Sequence, residues 1–355
     1  MKKVLIMALV VTAFIFSISA MVANGVKQPV ETELSAKELY QSVVSLEDPE
    51  PEGEKAPEDL QEFNETSPEL NLPEAVPLTF DQSTVIQVQD GDTVLEIPMD
   101  TYLQGVLLGE MPASFELEAM KAQAVAARTF TLKTMESKKH EQSDVCTDSA
   151  CCQAWENPET SNLIPDHQAK LAAAVSQTDG QVLTYQDSLI DATYFSCSGG
   201  LTESAVAVWG NDVPYLQSVE SPGEENAARY EGEVSVDKGV FVSILASAKP
   251  EVQLTGDPQT WFGEVIYTSG GGVDTMEIGG CQFSGPQLRS LFGLNSTMFT
   301  IEETEETIIF HTKGFGHRVG LSQYGANARA AFGEKYDQIL AYYYGGTQIK
   351  TLSPT

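Results

Sequence analysis

Tyr102-Leu103-Gln104-Gly105-Val106-Leu107-Leu108-Gly109-Glu110-Met111-Pro112 is followed, after a short gap, by Leu117-Glu118-Ala119-Met120-Lys121-Ala122-Gln123-Ala124-Val125-Ala126-Ala127-Arg128-Thr129. In the first stretch Tyr102, Leu103, Val106 and Leu107 share one helical face, with Asp100 placed to cap its start. Pro112 forbids continuation and biases Met111 away from helix, so the helix should stop near Gly109 and leave Glu110 at its C-terminal end. Ser114 is placed to cap a second helix, with Glu116 and Glu118 in its positive first turn. Leu117, Met120, Ala124, Ala127 and Thr131 recur at spacings of three and four, which predicts helix to about Ser137. A helix, a proline break and a second helix form the nucleus of the domain.

Upstream, Thr84–Ile97 alternates around Asp90-Gly91-Asp92 as a β-hairpin does. Downstream the pattern predicts a Cys- and His-containing loop, then a helix from Asp166 ended by Gly180. Gln181–Thr184 is expected to pair with Ser188–Phe195. A helix over Val236–Ala248, β-runs flanking Gly270-Gly271-Gly272, a short helix at Ser284–Phe292 and a hairpin over Ile301–Thr312 follow. Leu321–Tyr344 reads as helical, with Gly325 and Gly333 as irregularities. Strands and helices alternate without a βαβ period, so the class is α+β: one large mixed domain, with room for two lobes around a cleft.

The N-terminus sets the expected compartment. Lys2 and Lys3 precede Val4–Ala23, about twenty uncharged residues, the length of a membrane-crossing helix. A signal peptide cut near Ser17–Ala20 is the alternative, and either places the domain outside the cytoplasm. Net charge is −31, and between Glu31 and Glu74 fourteen acidic residues face only Lys37 and Lys55, with prolines at 49, 51, 57, 68 and 73. Such a segment cannot bury enough apolar surface to order itself, so it reads as an extended linker. The expected plan is a cytoplasmic tail (1–3), an anchor (4–24), an acidic linker (25–77) and an extracytoplasmic catalytic domain (78–355). An acidic surface without a basic stripe argues against nucleic acid.

The two opening stretches closely resemble the start of the stage II sporulation protein D family. The resemblance resumes at Ala192-Thr193-Tyr194-Phe195-Ser196-Cys197-Ser198-Gly199-Gly200, at Trp209-Gly210, and at Pro214-Tyr215-Leu216. It ends with Gly314-Phe315-Gly316-His317-Arg318-Val319-Gly320-Leu321-Ser322-Gln323-Tyr324-Gly325-Ala326. The blocks span the folded region in the family's order. The resemblance implies a lytic transglycosylase in the mother-cell membrane that trims septal peptidoglycan during engulfment, on glycan strands stripped of stem peptides. It also implies a wall amidase and membrane proteins of the engulfment machinery as partners. Two positions depart from the family: Arg318 stands where glycine is common and Cys197 where threonine is frequent, and either could narrow or alter the cleft.

Glycosidic cleavage needs a proton donor beside the leaving oxygen, and hydrolases add a second carboxylate. A transglycosylase dispenses with the second, because the muramoyl C6 hydroxyl attacks C1. Glu110, at a helix C-terminus where the dipole disfavours the carboxylate, suits the acid; without the motif it would read as a surface glutamate. Lys121 and Arg128 are candidates to bind sugar hydroxyls or to pair with Glu110, the alternative being solvated helix charges. Tyr194 lies in a family block, and Ser196, Ser198, Gly199 and Gly200 form a corner suited to a sugar ring or a plain turn. His317, Ser322, Gln323 and Tyr324 offer hydrogen bonds and a stacking ring for a cleft wall.

His140, Cys146, Cys151 and Cys152 form a second constellation. Thiolate and imidazole on one loop suit tetrahedral structural zinc. The family resemblance favours His140, Cys146 and Cys152 as ligands, with Cys151 as a possible fourth. A disulfide from Cys146 to Cys151 or Cys152, or free thiols, are the alternatives. Cys197 and Cys281 are expected as packed core thiols. Two further readings of the function stay open: a non-catalytic enhancer of a wall amidase, which would not need a protonatable Glu110, and a zinc-dependent hydrolase, which thiolate-rich closed sites disfavour.

Overall fold

The computed structural model describes residues 77–354. The proposed tail, anchor and nearly all of the linker lie outside the described residues. Among the described residues no helix is long and apolar enough to cross a membrane.

The domain opens with a capped turn of helix, α1 (Phe80–Ser83). The hairpin of β1 (Val85–Asp90) and β2 (Thr93–Pro98) follows, turning at Gly91 with φ 57°. Helix α2 (Met99–Glu110) begins directly after Pro98. Asp100 therefore lies in the first turn and does not cap it: its carboxylate accepts from the Thr101 N–H next door. The helix also runs one residue beyond Gly109, so Glu110 is its last residue and Met111 leaves in extended conformation.

Helix α3 (Leu117–Ser137) ends at a left-handed Lys138, as the spacing predicts. Its start differs, because Glu116 precedes it without a side-chain cap and its N–H is met by Asn327 Oδ1 at 2.7 Å. A long-range amide replaces the expected Ser114 cap. Both helices bury nearly every small and apolar side chain in one core with β1, β3 (Val145–Cys146) and helix α4 (Pro165–Ser176).

Strand β4 (Gln181–Tyr185) pairs with the short β5 (Ser188–Leu189). The expected long second strand breaks there. Tyr194–Phe195 forms a separate strand, β6. A short helix, α5 (Ala205–Trp209), follows.

A second core is built from strand β7 (Glu231–Asp237), helix α6 (Lys238–Ala248), the antiparallel sheet of β8 (Phe262–Tyr267), β9 (Val273–Ile278) and β10 (Cys281–Ser284), helix α7 (Gly285–Phe292), and the hairpin of β11 (Phe299–Glu303) and β12 (Thr307–Lys313). Phe241, Phe292, Phe299 and Phe310 pack ring on ring there. The described residues belong to one compact unit of mixed α and β structure that contains these two clusters of buried side chains.

The chain then returns to the first core. The expected helix over Leu321–Tyr344 is three elements: strand β13 (Leu321–Ser322), helix α8 (Gln323–Ala331) and helix α9 (Tyr336–Tyr343). Gly333, at φ 96°, supplies the break. Strand β14 (Gln348–Thr351) closes the sheet beside β4. β13 pairs parallel with β6, joining Leu321 to Tyr194 and Ser322 to Phe195. That two-rung ladder brings the last motif alongside the middle one.

Candidate active site

Glu110 sits where α2 ends, half-buried in the wall of a cleft of about 710 Å3 that also takes Tyr194, Ser196, His317 and Gln323. Its Oε2 accepts from Gln323 Nε2 at 3.0 Å and its Oε1 from the Ala154 N–H at 2.8 Å. Burial pushes its pKa above the ordinary carboxylate range. The bonds from Gln323 and Ala154, and the neighbouring Tyr194 hydroxyl, oppose that shift without reversing it. Among the described residues Glu110 is the one carboxylate lining this cleft. A buried acid with a raised pKa and two fixed donors can give up a proton and be stabilised as the anion afterwards.

The Ala154 donor is held by packing. Gly105 and Gly109 lie one turn apart on α2, and the Ala154–Glu156 segment runs over them. A Cβ on Gly105 would stand 2.2 Å from Trp155 Nε1, and one on Gly109 3.1 Å from the Ala154 backbone. Gln153, just before, is buried; its amide donates to the Tyr102 hydroxyl at 3.0 Å and to Thr131 Oγ1 at 2.9 Å. Its oxygen accepts from the Tyr194 hydroxyl at 2.8 Å.

The same segment continues from the Cys/His loop. His140, Cys146, Cys151 and Cys152 present ligand atoms all within 4.8 Å of one another. His140 Nε2 is 3.2 Å from Cys152 Sγ and 3.9 Å from Cys151 Sγ. A zinc ion with Zn–S of about 2.3 Å sets ligand separations of about 3.5–3.8 Å, so the donor set fits a tetrahedral metal. All five cysteines are free thiols. Burial pushes the Cys152 thiol up to about 12. Cys197 is fully buried and Cys281 packs partly buried against the second core.

His317 stands on the opposite wall between the rings of Phe195 and Trp209, at 5.7 and 5.3 Å. Its Nδ1 accepts from the Val319 N–H at 3.1 Å, which leaves Nε2 to carry the proton of the neutral ring. Burial and the nearby Arg289 charge hold its pKa down to about 4. The ring is therefore neutral at neutral pH, with the Tyr194 backbone partly opposing the downward shift.

Other candidates lie elsewhere. Arg128 is fully buried, forked onto Asp81 at 2.7 and 2.5 Å, with Nη1 on the Gln181 carbonyl. Lys121 is buried against Glu118 at 3.0 Å and over the Tyr336 ring. Neither lines the cleft or meets Glu110: their shared face packs inward. Tyr324 stacks edge-on with Phe115 at 4.9 Å and offers no open ring. Ser198 and Ser322 are buried and both donate to Glu224, which also accepts from the Gly199 N–H and Ser221. They are struts of the corner rather than groups facing a sugar.

Arg318 does not narrow the cleft either. At φ 67° it takes the left-handed conformation natural to glycine, and its guanidinium donates to the carbonyls of Ser198, Leu201 and Gly270 beside Glu203. It ties the Gly270–Gly272 turn to the 198–203 corner.

Several groups of the cleft escaped the sequence reading. The Ala154 N–H has no side-chain signature. Phe195 and Phe315, flat apolar walls, stood inside the quoted motifs and could have been chosen from them. Arg289, on α7, came from a stretch with no motif. A cavity of about 660 Å3 against β7, β11 and β12 is lined by residues outside the recognised blocks, and its His311 and Lys313 stand near Glu302 and Glu231.

Comparison with known proteins gives the following likenesses. The family described as Stage II sporulation protein matches residues 88–185. Stage II sporulation protein D of Bacillus subtilis (strain 168) is 37% identical over 266 residues, covering 72% of this chain and 76% of that protein. Its counterpart from Bacillus amyloliquefaciens is 36% identical, covering 72% and 75%. The Amidase enhancer of Bacillus subtilis (strain 168) is 30% identical over 306 residues, covering 70% of this chain but 40% of its own length. At 36–37% identity over 72% of its length, this chain belongs to the stage II sporulation protein D family.

Proposed function

We propose that the protein is a lytic transglycosylase that cleaves the glycan strands of septal peptidoglycan during engulfment, preferring strands without stem peptides. The observation that carries this reading is Glu110, the one carboxylate lining the cleft among the described residues, with its pKa raised by burial. Glu110 protonates the glycosidic oxygen. The muramoyl C6 hydroxyl attacks C1 as that bond breaks, and its proton passes to the carboxylate that Gln323 and Ala154 hold. No water is consumed and no second carboxylate is needed, unlike a hydrolase. Tyr194, Ser196 and His317 line the path of the strand.

Zinc is the proposed ion of the His140, Cys146, Cys151 and Cys152 cluster, in a structural role that fixes the loop leading to Ala154. The amidase enhancer relative supports a wall amidase as partner, since removal of stem peptides would supply the preferred strands. Residues 4–24 are proposed to anchor the domain in the mother-cell membrane, extracytoplasmically, beside membrane proteins of the engulfment machinery.

Mass spectrometry of products from purified peptide-free strands tests the reading. The expected product ends in 1,6-anhydro-N-acetylmuramic acid; a reducing end, heavier by one water, would mean hydrolysis. The relative's name also supports a second reading, an amidase enhancer that does not itself cut glycan. On that reading Glu110→Gln leaves amidase stimulation intact and no strand is shortened by the wild type.

A further inference from the structure

Arg289 is a half-buried cation with no acidic partner. It lies in the last turn of α7, where its Nε donates to the Leu294 carbonyl at 3.3 Å. That bond anchors one edge of the guanidinium and leaves both Nη groups without an acceptor among the described residues. No carboxylate lies within 4.0 Å of it among those residues. This is unexpected in a chain with 51 acidic and 20 basic residues, where the other buried arginines, Arg128 and Arg318, both meet a carboxylate. A helix C-terminus accounts for one bond of this side chain and not for the remaining four N–H donors.

Its position is equally specific. Arg289 lines the cleft that holds Glu110, and with His317 it also lines an adjoining pocket of about 400 Å3 walled by Val208, Leu294 and Thr297. The two hollows share this arginine and histidine, so the cleft continues past them. The guanidinium stays charged when half-buried, and its Nη groups are not sealed inside the protein, so they stay open to an anion that enters the cleft.

We propose that Arg289 is a specificity-determining subsite for a carboxylate carried by the substrate, the lactyl carboxylate of a peptide-free muramoyl residue. This rests on the glycan-strand reading above and deepens it. With a stem peptide in place that carboxyl is an amide, which cannot accept two parallel charged hydrogen bonds from the fork. Once the peptide is removed it becomes an anion of matching shape. The preference for stripped strands then has a physical cause in one side chain.

The test is equilibrium binding in the inactive Glu110→Gln background, so that cleavage does not enter. The probes are purified peptide-free glycan strands with free carboxylates and the same strands converted to methylamides with carbodiimide and methylamine. Glu110→Gln should bind the carboxylate strands at least about tenfold more tightly than the methylamides, the usual worth of a charged hydrogen-bonded pair. Adding Arg289→Gln should remove that difference by weakening only the carboxylate strands, and Arg289→Lys should restore part of it. Thermal melting of each variant guards against misfolding, and the lysine variant keeps the charge if the glutamine variant melts early. Equal binding of the two strand types to Glu110→Gln overturns the subsite, as does an equal loss on both when Arg289 is changed. If no protein binds either strand type, the glycan reading itself falls and the subsite with it.

Discussion

The backbone N–H of Ala154 donates to Oε1 of Glu110 across 2.8 Å, and Ala154 follows Cys152 by two residues. The proposed acid and the proposed metal loop are therefore one mechanical unit. A side chain placed at the end of a helix is met by a main-chain donor whose position the loop decides.

Glu110→Gln should abolish strand cleavage, a loss of about 10²–10⁴-fold or more, while the fold is kept. The sign of its effect on stability follows from the raised pKa of the wild type. Between the ordinary carboxylate value and the raised one, folded protein binds more protons than unfolded. Stability therefore falls as pH rises through that window, and above it a half-buried carboxylate remains as a cost. Glutamine carries no such cost, so the variant should melt at or above the wild-type temperature at neutral pH. Wild-type activity on stripped strands, or a clear drop in melting temperature, would count against Glu110 as the acid.

Chelation should act on activity through Ala154. If His140, Cys146 and Cys152 hold zinc, about one ion per chain is expected, and its removal should lower thermal stability and loosen the donor on Glu110. Cys152→Ser should lose the metal, and Cys151→Ser should lose less of it. Elemental analysis paired with a thiol count decides this: no metal and two oxidised cysteines would replace the ion by a disulfide.

Gly105→Ala should be far more harmful than a mid-helix alanine ordinarily is. Alanine normally favours helix by about 1 kcal/mol, but here the new methyl would meet the Trp155 ring nitrogen and the Glu156 carbonyl. Activity should fall along with stability because Ala154 is displaced from Glu110. Unchanged kinetics in this variant would mean that the segment yields without cost.

Arg128→Gln should cost about 3–5 kcal/mol, since it strands Asp81 in the core. Whatever fraction stays folded should retain an unaltered KM, because Arg128 lies outside the cleft. A raised KM with normal melting would return this arginine to substrate binding.

His317 should make the protein acid-sensitive. Its folded pKa lies near 4 against an ordinary 6.5, so as pH falls below about 6.5 the unfolded ring takes a proton that the folded ring refuses. Stability is complete above that value, drains away as pH falls toward 4, and stops changing below it. Comparing melting temperatures of wild type and His317→Asn at pH 7 and pH 4.5 isolates this share. Equal losses in both proteins would exclude it.

Local order was legible in the sequence and distant pairing was not. The helix, proline break and second helix follow from spacing alone, and Glu110 fell one residue from where the first helix was expected to stop. The ladder of Tyr194–Phe195 on Leu321–Ser322 is two residues long, too short to carry a period, so both ends were assigned to longer elements. Lys121 and Arg128 share a helical face as their spacing requires. Periodicity does not say which face is dry, and Asp81 on a distant turn took the arginine. Glu224 stood in a stretch without a pattern and Arg289 on a short expected helix without a motif, and both gained meaning only from what surrounds them. Ser114 was a sound local cap displaced by Asn327, a residue from the far end of the chain.

Gln323 reaches Glu110 from 213 positions along the chain. A polypeptide emerging in order therefore holds its acid long before it holds the amide that completes the wall. A chain shortened ahead of Gly314 would keep Glu110 and the thiol loop yet lack β13, α8 and the ladder that seats Tyr194. Long-range closure of this kind is slow and comes late. If the protein cuts glycan as proposed, this order of assembly is a built-in latency: a chain without Gln323 has the acid but not the amide that holds it.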